Sequence, residues 1–214
     1  MAQSTPANEL TLSDVETQFG LSETEESSFF SEWQQKIPQL HEYDQYLLDR
    51  ARTDFRYLAK DSVHEEIVKL VIVAPLLSVA GFYRPPFRPV AEKQVEIVFQ
   101  ENDEILRGRL DILVLNEQLW VTLLEAKNKR FNVLEALPQA LFYMMSSPTN
   151  QLNLFGLATN GSEFLFIKLR RGEERQYALS KLFSVLNPGN DLYQVSGILQ
   201  NLGTIVRQPS LLAS

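Results

Sequence analysis

Two apolar runs separated by a short polar turn constrain the fold of this chain more than any other feature. Residues 110–115 read LDILVL, and residues 119–126 read LWVTLLEA. A strand with one face in water alternates apolar and polar residues, and neither run does so. We therefore predict two central strands of a sheet that is covered by helices on both faces.

The neighbouring segments supply the other strands and the helices. We predict a three-stranded meander from residues 90–100, 109–115 and 119–126, with turns at residues 101–103 and 116–117. A hairpin of residues 152–159 and 163–169 follows, joined at Asn160-Gly161. Helical patterns lie at residues 11–18, 22–37, 42–60, 62–80, 133–145, 180–186 and 191–206.

Two of the helices have a more detailed prediction. The helix at residues 62–80 has Ser62 as its N-cap, Glu65 completing a capping box, and Gly81 at its end. In the helix at residues 42–60, apolar residues recur at spacings of three and four, which predicts one buried face. These residues are Tyr43, Tyr46, Leu47, Ala51, Phe55 and Leu58.

The order of elements predicts an α/β sandwich with a central mixed sheet flanked by helices. We divide the chain into a poorly ordered tail (1–10), an N-terminal helical extension packed on the core (11–61), the core itself (62–170) and a C-terminal helical segment of the same domain (171–214). At 214 residues with 44% hydrophobic content, one domain can bury a sizeable core.

Composition excludes several classes of protein and site. There is no cysteine, which removes disulfides, thiolate metal sites and cysteine nucleophiles. The start of the chain has neither basic nor apolar character, so we expect no secretory signal. The most apolar run, Leu70 to Phe82, contains Pro75 and is shorter than the roughly 20 residues of a membrane span. We expect a cytoplasmic protein with no membrane partner.

The charge is unevenly distributed along the chain. The net charge of −7 argues against a general nucleic-acid coat protein, which needs an excess of bases. Residues 1–66 hold 14 acids and 5 bases, a net of −9, whereas residues 67–214 hold 13 acids and 15 bases, a net of +2. The bases after residue 66 are therefore compatible with a modest basic surface near a site. The alternative is that they belong to ordinary solvated loops.

The strongest chemical signal combines Glu125 and Lys127 with Asp111. Side chains two apart in a strand share a face, so Glu125 and Lys127 should emerge together at the end of an apolar strand. Asp111 begins the preceding strand, and in an antiparallel pair the start of one strand lies beside the end of the next. We expect the two carboxylates to be neighbours. The alternative is a salt bridge of Lys127 with either acid.

Two close carboxylates repel each other unless a cation neutralises them, and oxygen ligands suit Mg²⁺ or Mn²⁺. Such an ion can polarise a phosphoryl oxygen and lower the pKa of a bound water. A nearby lysine can orient or deprotonate that water. The pattern therefore predicts hydrolysis of phosphodiester bonds.

The strings GRLDILVL and LWVTLLEAK resemble the D…E-x-K core of the PD-(D/E)XK nucleases, the restriction-endonuclease-like superfamily. The similarity is closest to the RecB-like N-terminal nuclease domain of type I restriction R subunits and covers about residues 65–169. Leu110 stands where the motif has its proline.

The resemblance implies roles for further residues. Gln139 and Tyr143 match a Q-x-x-x-Y pattern, in which the glutamine supports the site and the tyrosine lies near nucleic acid; the alternative is a solvated glutamine and a core tyrosine. Glu66, with Glu65 as competitor, matches a helix carboxylate that completes the metal shell. The remaining residues that we assign are the Ala126 carbonyl to the metal and Arg109, Lys129 and Arg130 to nucleic acid.

We thus expect a stand-alone, Mg²⁺-dependent or Mn²⁺-dependent endonuclease acting on DNA. The alternative is a catalytically inactive nuclease-fold module that binds nucleic acid or a protein partner. The sequence leaves homodimerisation open. It lacks the G-x-x-x-x-G-K-[ST] and G-x-G-x-x-G motifs, so no nucleotide cofactor is expected, and it lacks the G-x-S-x-G of serine hydrolases. His41 and His64 have no third ligand nearby in the sequence, which disfavours a histidine metal site.

Overall fold

A mixed sheet runs through the centre of the structure. The computed structural model describes residues 11–61, 63–91, 96–98, 105–107, 111–116, 119–123 and 133–207. Its helices are α1 (Leu12–Phe19), α2 (Glu42–Leu58), α3 (Glu65–Val68), α4 (Ala74–Val79), α5 (Leu137–Ser146) and α6 (Leu192–Arg207). Its strands are β1 (Leu21–Glu23), β2 (Val90–Ala91), β3 (Glu96–Val98), β4 (Ile105–Arg107), β5 (Asp111–Asn116), β6 (Leu119–Leu123), β7 (Asn153–Thr159), β8 (Glu163–Arg170), β9 (Arg175–Leu179) and β10 (Phe183–Ser184).

Eight of these strands form the main sheet, in the order β1-β9-β8-β7-β6-β5-β2, and β10 pairs with the start of β8. β6 is parallel to β7, and β1 is parallel to β9, whereas the other neighbours are antiparallel. β3 and β4 form a separate two-stranded sheet. The α/β class with a mixed sheet is therefore confirmed.

The sheet separates two hydrophobic cores. Phe155, Leu157 and Phe164 pack with α2, α4 and α6 on one face, which we call the α2 face. Ala158 and Ile167 pack with α1 and α5 on the other, the α5 face. Residues 154–159 of β7 and 164–169 of β8 are buried without alternation, as a sheet covered on both sides requires.

Most of the predicted helices are confirmed, with small shifts of their ends. α1 begins at a capping box in which Thr11 and Asp14 bond each other's backbone. A π-helical turn at Lys69–Val73 joins α3 to α4. Gly81, at φ +82°, follows α4, and the Phe82 amide donates to the Leu77 carbonyl. Ser62, expected as an N-cap, lies outside the described residues. None of the helices that the structure describes is long and apolar enough to cross a membrane.

The predicted helix at residues 22–37 is wrong. β1 occupies its start, and the amide of Thr24 donates to the carbonyl of Tyr177 at 2.9 Å. Farther along, Glu32 pairs with Lys168 of β8, whose Nζ also lies 5.4 Å from the ring centroid of Phe29. These partners are distant in sequence, so the local pattern could not reveal them.

The predicted helix at residues 180–186 is also wrong, because β10 lies there. Phe183 and Val185 are buried on either side of a half-buried Ser184, which is strand alternation. The predicted strand at residues 90–100 is divided: β2 pairs with β5, and β3 pairs with β4, which we did not predict. The intervening turn at residues 101–103 is outside the described residues.

Helix α2 buries only part of the predicted face, since Ala51 and Phe55 are buried and Leu47 packs against the core. Leu48, Ala51 and Phe55 are buried, whereas Tyr43 and Tyr46 are 69% and 57% exposed. The two tyrosines at the start of the helix, which were expected in the buried face, therefore point outward.

Both terminal regions of the predicted scheme contribute to the sheet. β1, from residues 11–61, pairs with β9, from residues 171–214. The division of the chain at residues 61 and 170 stays a prediction.

We expect the stability of the fold to depend on Gly161, the glycine of the β7–β8 turn. Its φ is +87°, and an added Cβ would lie 2.7 Å from Val68 Cγ1 and 2.8 Å from Phe55 Cε2. Gly161→Ala should lower the free energy of unfolding by roughly 2–5 kcal/mol, combining backbone strain with overpacking. Urea unfolding measures the loss.

Gly189→Ala is the matched control, because Gly189 has φ +81° and nothing within 4 Å of an added Cβ. It should lose only the strain, roughly 1–2 kcal/mol. Equal losses in the two variants would contradict the close packing at Gly161.

Candidate functional site

The strand register brings three strand ends to one end of the sheet. Asp111, the first residue of β5, pairs with Leu123, the last residue of β6. Leu123 in turn pairs with Thr159, the last residue of β7. Two strand spacings place the Cα atoms of Asp111 and Thr159 about 10 Å apart. We call this row of three positions the candidate end.

The candidate end lies on the α2 face. Cross-strand partners occupy the same face of a sheet, and Thr159 pairs with Phe164, which packs into the core beneath α2 and α6. The row that begins at position 111 therefore belongs to the layer that contains α2 and α3.

Hydrogen bonds fix the turn that follows Thr159. The Thr159 hydroxyl donates to the Glu163 carbonyl at 2.7 Å and accepts from the Gly161 amide at 2.9 Å. The Asn160 side-chain oxygen accepts from the amides of Ser162 and Glu163 at 3.0 and 2.8 Å. The sequence identified this segment only as a hairpin turn. Its place beside Asp111 depends on strand register, which the sequence alone does not give.

Helices α2 and α3 both dock on this turn. Gly161 lies against Phe55 of α2 and Val68 of α3, so closely that neither contact leaves room for a Cβ. Two helices thus meet at the turn that directly follows the candidate end.

The structure places Glu66 near the candidate end, on the outer side of α3. Glu66 is exposed, whereas Val68, two residues later, is 1% exposed and faces Gly161. Two residues correspond to about 200° around a helix, so the Glu66 side chain points away from that contact. Its role as a metal ligand stays a prediction, and so does the choice between Glu66 and Glu65.

Gln139 and Tyr143 lie in the other layer. Both belong to α5, which packs on the α5 face, so the sheet separates them from the row of Asp111. Gln139 is half-buried, and its supporting role stays a prediction.

Tyr143 is a core residue of the α5 face. It is 1% exposed, and its ring lies edge-on to Phe142 with centroids 5.7 Å apart. Among the described residues its hydroxyl has no hydrogen-bond partner, and burial raises the pKa of Tyr143 to about 12. This is the core role that the sequence left open. Contact with nucleic acid stays a prediction and requires the hydroxyl to become accessible.

The remaining predicted site residues lie outside the described parts of the chain. They are Arg109, Glu125, Ala126, Lys127, Lys129 and Arg130. Within the described residues, no three acidic or histidine side chains are grouped so that they could hold a metal ion. The structure thus describes the end of β6, two residues before Glu125, and the start of β5, two residues after Arg109.

Comparison with known families gives one match. The family model described as "Type I restriction enzyme R protein N terminus" matches residues 22–175, about 70% of the chain. The match runs from within β1 to the first residue of β9 and so includes every strand of the candidate end. No curated protein sequence matches the chain.

Substitution of Tyr143 by phenylalanine should maintain or raise stability, by about 0–2 kcal/mol. A buried hydroxyl without a partner is costly, and its removal leaves the ring packing intact. Thermal or urea unfolding of Tyr143→Phe checks this.

Tyr177 is the matched control, because it is 0% exposed and its hydroxyl donates to Glu16 Oε1 at 2.8 Å. Tyr177→Phe should lose roughly 1.5–3 kcal/mol, the range for a hydrogen bond to a charged group. A comparable loss in Tyr143→Phe would show that its hydroxyl is hydrogen-bonded after all.

Proposed function

This chain belongs to the family of the type I restriction enzyme R protein N terminus, and from that premise we propose that it is a metal-dependent nuclease that hydrolyses phosphodiester bonds of DNA. Membership confirms the resemblance drawn from the sequence. It supports a nuclease-related module that acts on DNA, because restriction enzymes cut DNA.

The register of β5 against β6 is the observation that carries the proposal. Asp111 pairs with Leu123, and Glu125 follows Leu123 by two residues in the sequence. If the alternation of β6 continues, Glu125 projects to the same face as Leu123, beside Asp111. The predicted pair of carboxylates then requires no rearrangement of the sheet.

The proposed ligands fit a hard divalent cation. Asp111, Glu125, Glu66 and the Ala126 carbonyl offer only oxygen atoms, which suits Mg²⁺ or Mn²⁺. When bound, the ion would supply a nucleophilic water and stabilise negative charge on the phosphoryl oxygens.

The side chain of Lys127 has a role of its own in the reaction. Its ammonium group would orient the attacking water, whose oxygen bonds to phosphorus as one ester P–O bond breaks. The leaving oxygen takes up a proton. Gln139 would brace the site from the α5 layer, on the other side of the sheet, and Arg109, Lys129 and Arg130 would hold the flanking phosphates.

A second function is favoured by the charge of the chain. The net charge of −7 disfavours strong phosphate binding and so favours a binding or scaffold module that retains the fold without the reaction. Its partner would be a protein or, less in keeping with this charge, nucleic acid. Such a module needs no cation at Asp111.

Cleavage assays test the reaction directly. Purified protein is incubated with supercoiled, linear and single-stranded DNA in Mg²⁺ and in Mn²⁺. We expect the wild type to cleave DNA. The cleavage rates of Lys127→Ala and Glu125→Gln should be lower by roughly 100-fold or more, because each substitution removes a group that acts in the reaction. Excess chelator should abolish the activity.

Lys181→Ala and Glu173→Gln serve as charge-matched controls, since both residues are exposed and neither belongs to the candidate end. They should cut at the wild-type rate. If the wild type and Lys127→Ala release the same products at the same rate from every substrate, the nuclease proposal is wrong.

A further inference from the structure

A cleft lies between the C-terminal end of α2 and the start of α3. It has a volume of about 360 Å³, within the range of small-ligand sites. The residues of its lining that matter here are Tyr57, Lys60, Asp61, His64 and Ile67. No residue of this cleft stood out in the sequence as part of a site.

The cleft is formed by the same two helices that contact the turn after the candidate end. Phe55, two residues before Tyr57, and Val68, one residue after Ile67, are the two side chains that press on Gly161. Gly161 is two residues beyond Thr159, which lies in the row of Asp111. The helices that form the walls of the cleft are therefore the same two that dock on the proposed catalytic end.

The cleft combines an aromatic surface with polar groups of both kinds. Tyr57 is 70% exposed, and Lys60 Nζ lies over one face of its ring, 5.5 Å from the centroid, so a base would stack on the opposite face. His64, which is exposed, and Lys60 can donate hydrogen bonds, and the Asp61 carboxylate can accept them. The ammonium and the carboxylate balance each other, so the cleft is not a general phosphate-binding patch.

A flat ring flanked by a donor and an acceptor matches the chemistry of a nucleobase. Aromatic side chains stack on the face of an unpaired base, and aspartate accepts from an exocyclic amino group. A base inside a duplex has both faces covered by its neighbours. A site built on stacking therefore selects an unpaired base.

We propose that this cleft binds one unpaired nucleobase of the DNA strand that is cut at the candidate end. Tyr57 stacks on the base, Asp61 accepts from its amino group, and Lys60 and His64 contact its acceptors or the neighbouring phosphate. The proposal rests on the proposed function and adds to it a preference for single-stranded or frayed DNA.

Tyr43 provides the matched control. It lies on the same helix and is 69% exposed, and it is 14 residues, about 21 Å, from Tyr57. It does not line the cleft. Tyr57→Ala and Tyr43→Ala thus each remove one exposed tyrosine ring from α2, but only Tyr57→Ala changes the cleft.

Fluorescence anisotropy tests the proposal with the full chain in EDTA, which prevents cleavage. The probes are a labelled single-stranded oligonucleotide and the same sequence as a blunt duplex. Tyr57→Ala should weaken single-strand binding by about tenfold or more, which is the loss of one base–aromatic stack. Tyr57→Phe and Tyr43→Ala should remain within about twofold of the wild type, and Tyr57→Ala should bind the duplex within about twofold.

Three outcomes would overturn the proposal: a wild type that binds neither probe, a Tyr57→Ala variant that matches Tyr43→Ala on the single strand, or equal losses on both probes. Circular dichroism confirms that each variant is folded. The cleavage assay separates this proposal from the nuclease proposal, because binding in EDTA is measured without the reaction. If the wild type cuts nothing but binding still depends on Tyr57, only the nuclease proposal fails.

Discussion

The parallel pairing of β6 with β7 is the constraint on which the rest of the structure depends. Two parallel neighbours cannot be joined by a tight turn, so the chain must cross over one face of the sheet, and α5 lies on that crossover. Parallel strands also end together, which is why Leu123 meets Thr159. Because β5 and β8 are antiparallel to them, both begin where β6 and β7 end. The acidic start of β5 is thereby placed at the strand ends.

This geometry gives the two faces different roles. The α5 face is filled by apolar side chains and by Tyr143. The α2 face meets the candidate end through Gly161, where close contact with Phe55 and Val68 fixes α2 and α3. Chemistry at the strand ends and recognition in the cleft between these helices would therefore share one rigid support. A substrate strand could reach both without movement of the sheet.

Sequence patterns predicted what depends on neighbouring residues. The apolar runs gave β5 and β6, Asn160-Gly161 gave the β7–β8 hairpin, and the pattern at residues 191–206 gave α6. β1 and β10 were missed because both are short and are stabilised by strands that are not their neighbours in sequence. β1 pairs with β9, more than 100 residues away, and β10 pairs with β8, beyond the intervening β9. The outward face of α2 was misjudged because tyrosine suits both a core and a surface that binds a partner. For the site, the sequence placed Asp111 at a strand start, but only the register showed that Thr159 lies at the same end of the sheet, two strands away.

The central claim is that Asp111 stands at a cation site formed by strand ends. Calorimetric titration of Mn²⁺ into the wild type, Asp111→Asn and Asp54→Asn tests it most directly; Asp54 is an exposed acid of α2 that pairs with Arg50 at 3.5 Å. Our account predicts saturable binding in the wild type and in Asp54→Asn, and its loss in Asp111→Asn. Identical titration curves for all three proteins, or no binding to the wild type, would contradict it.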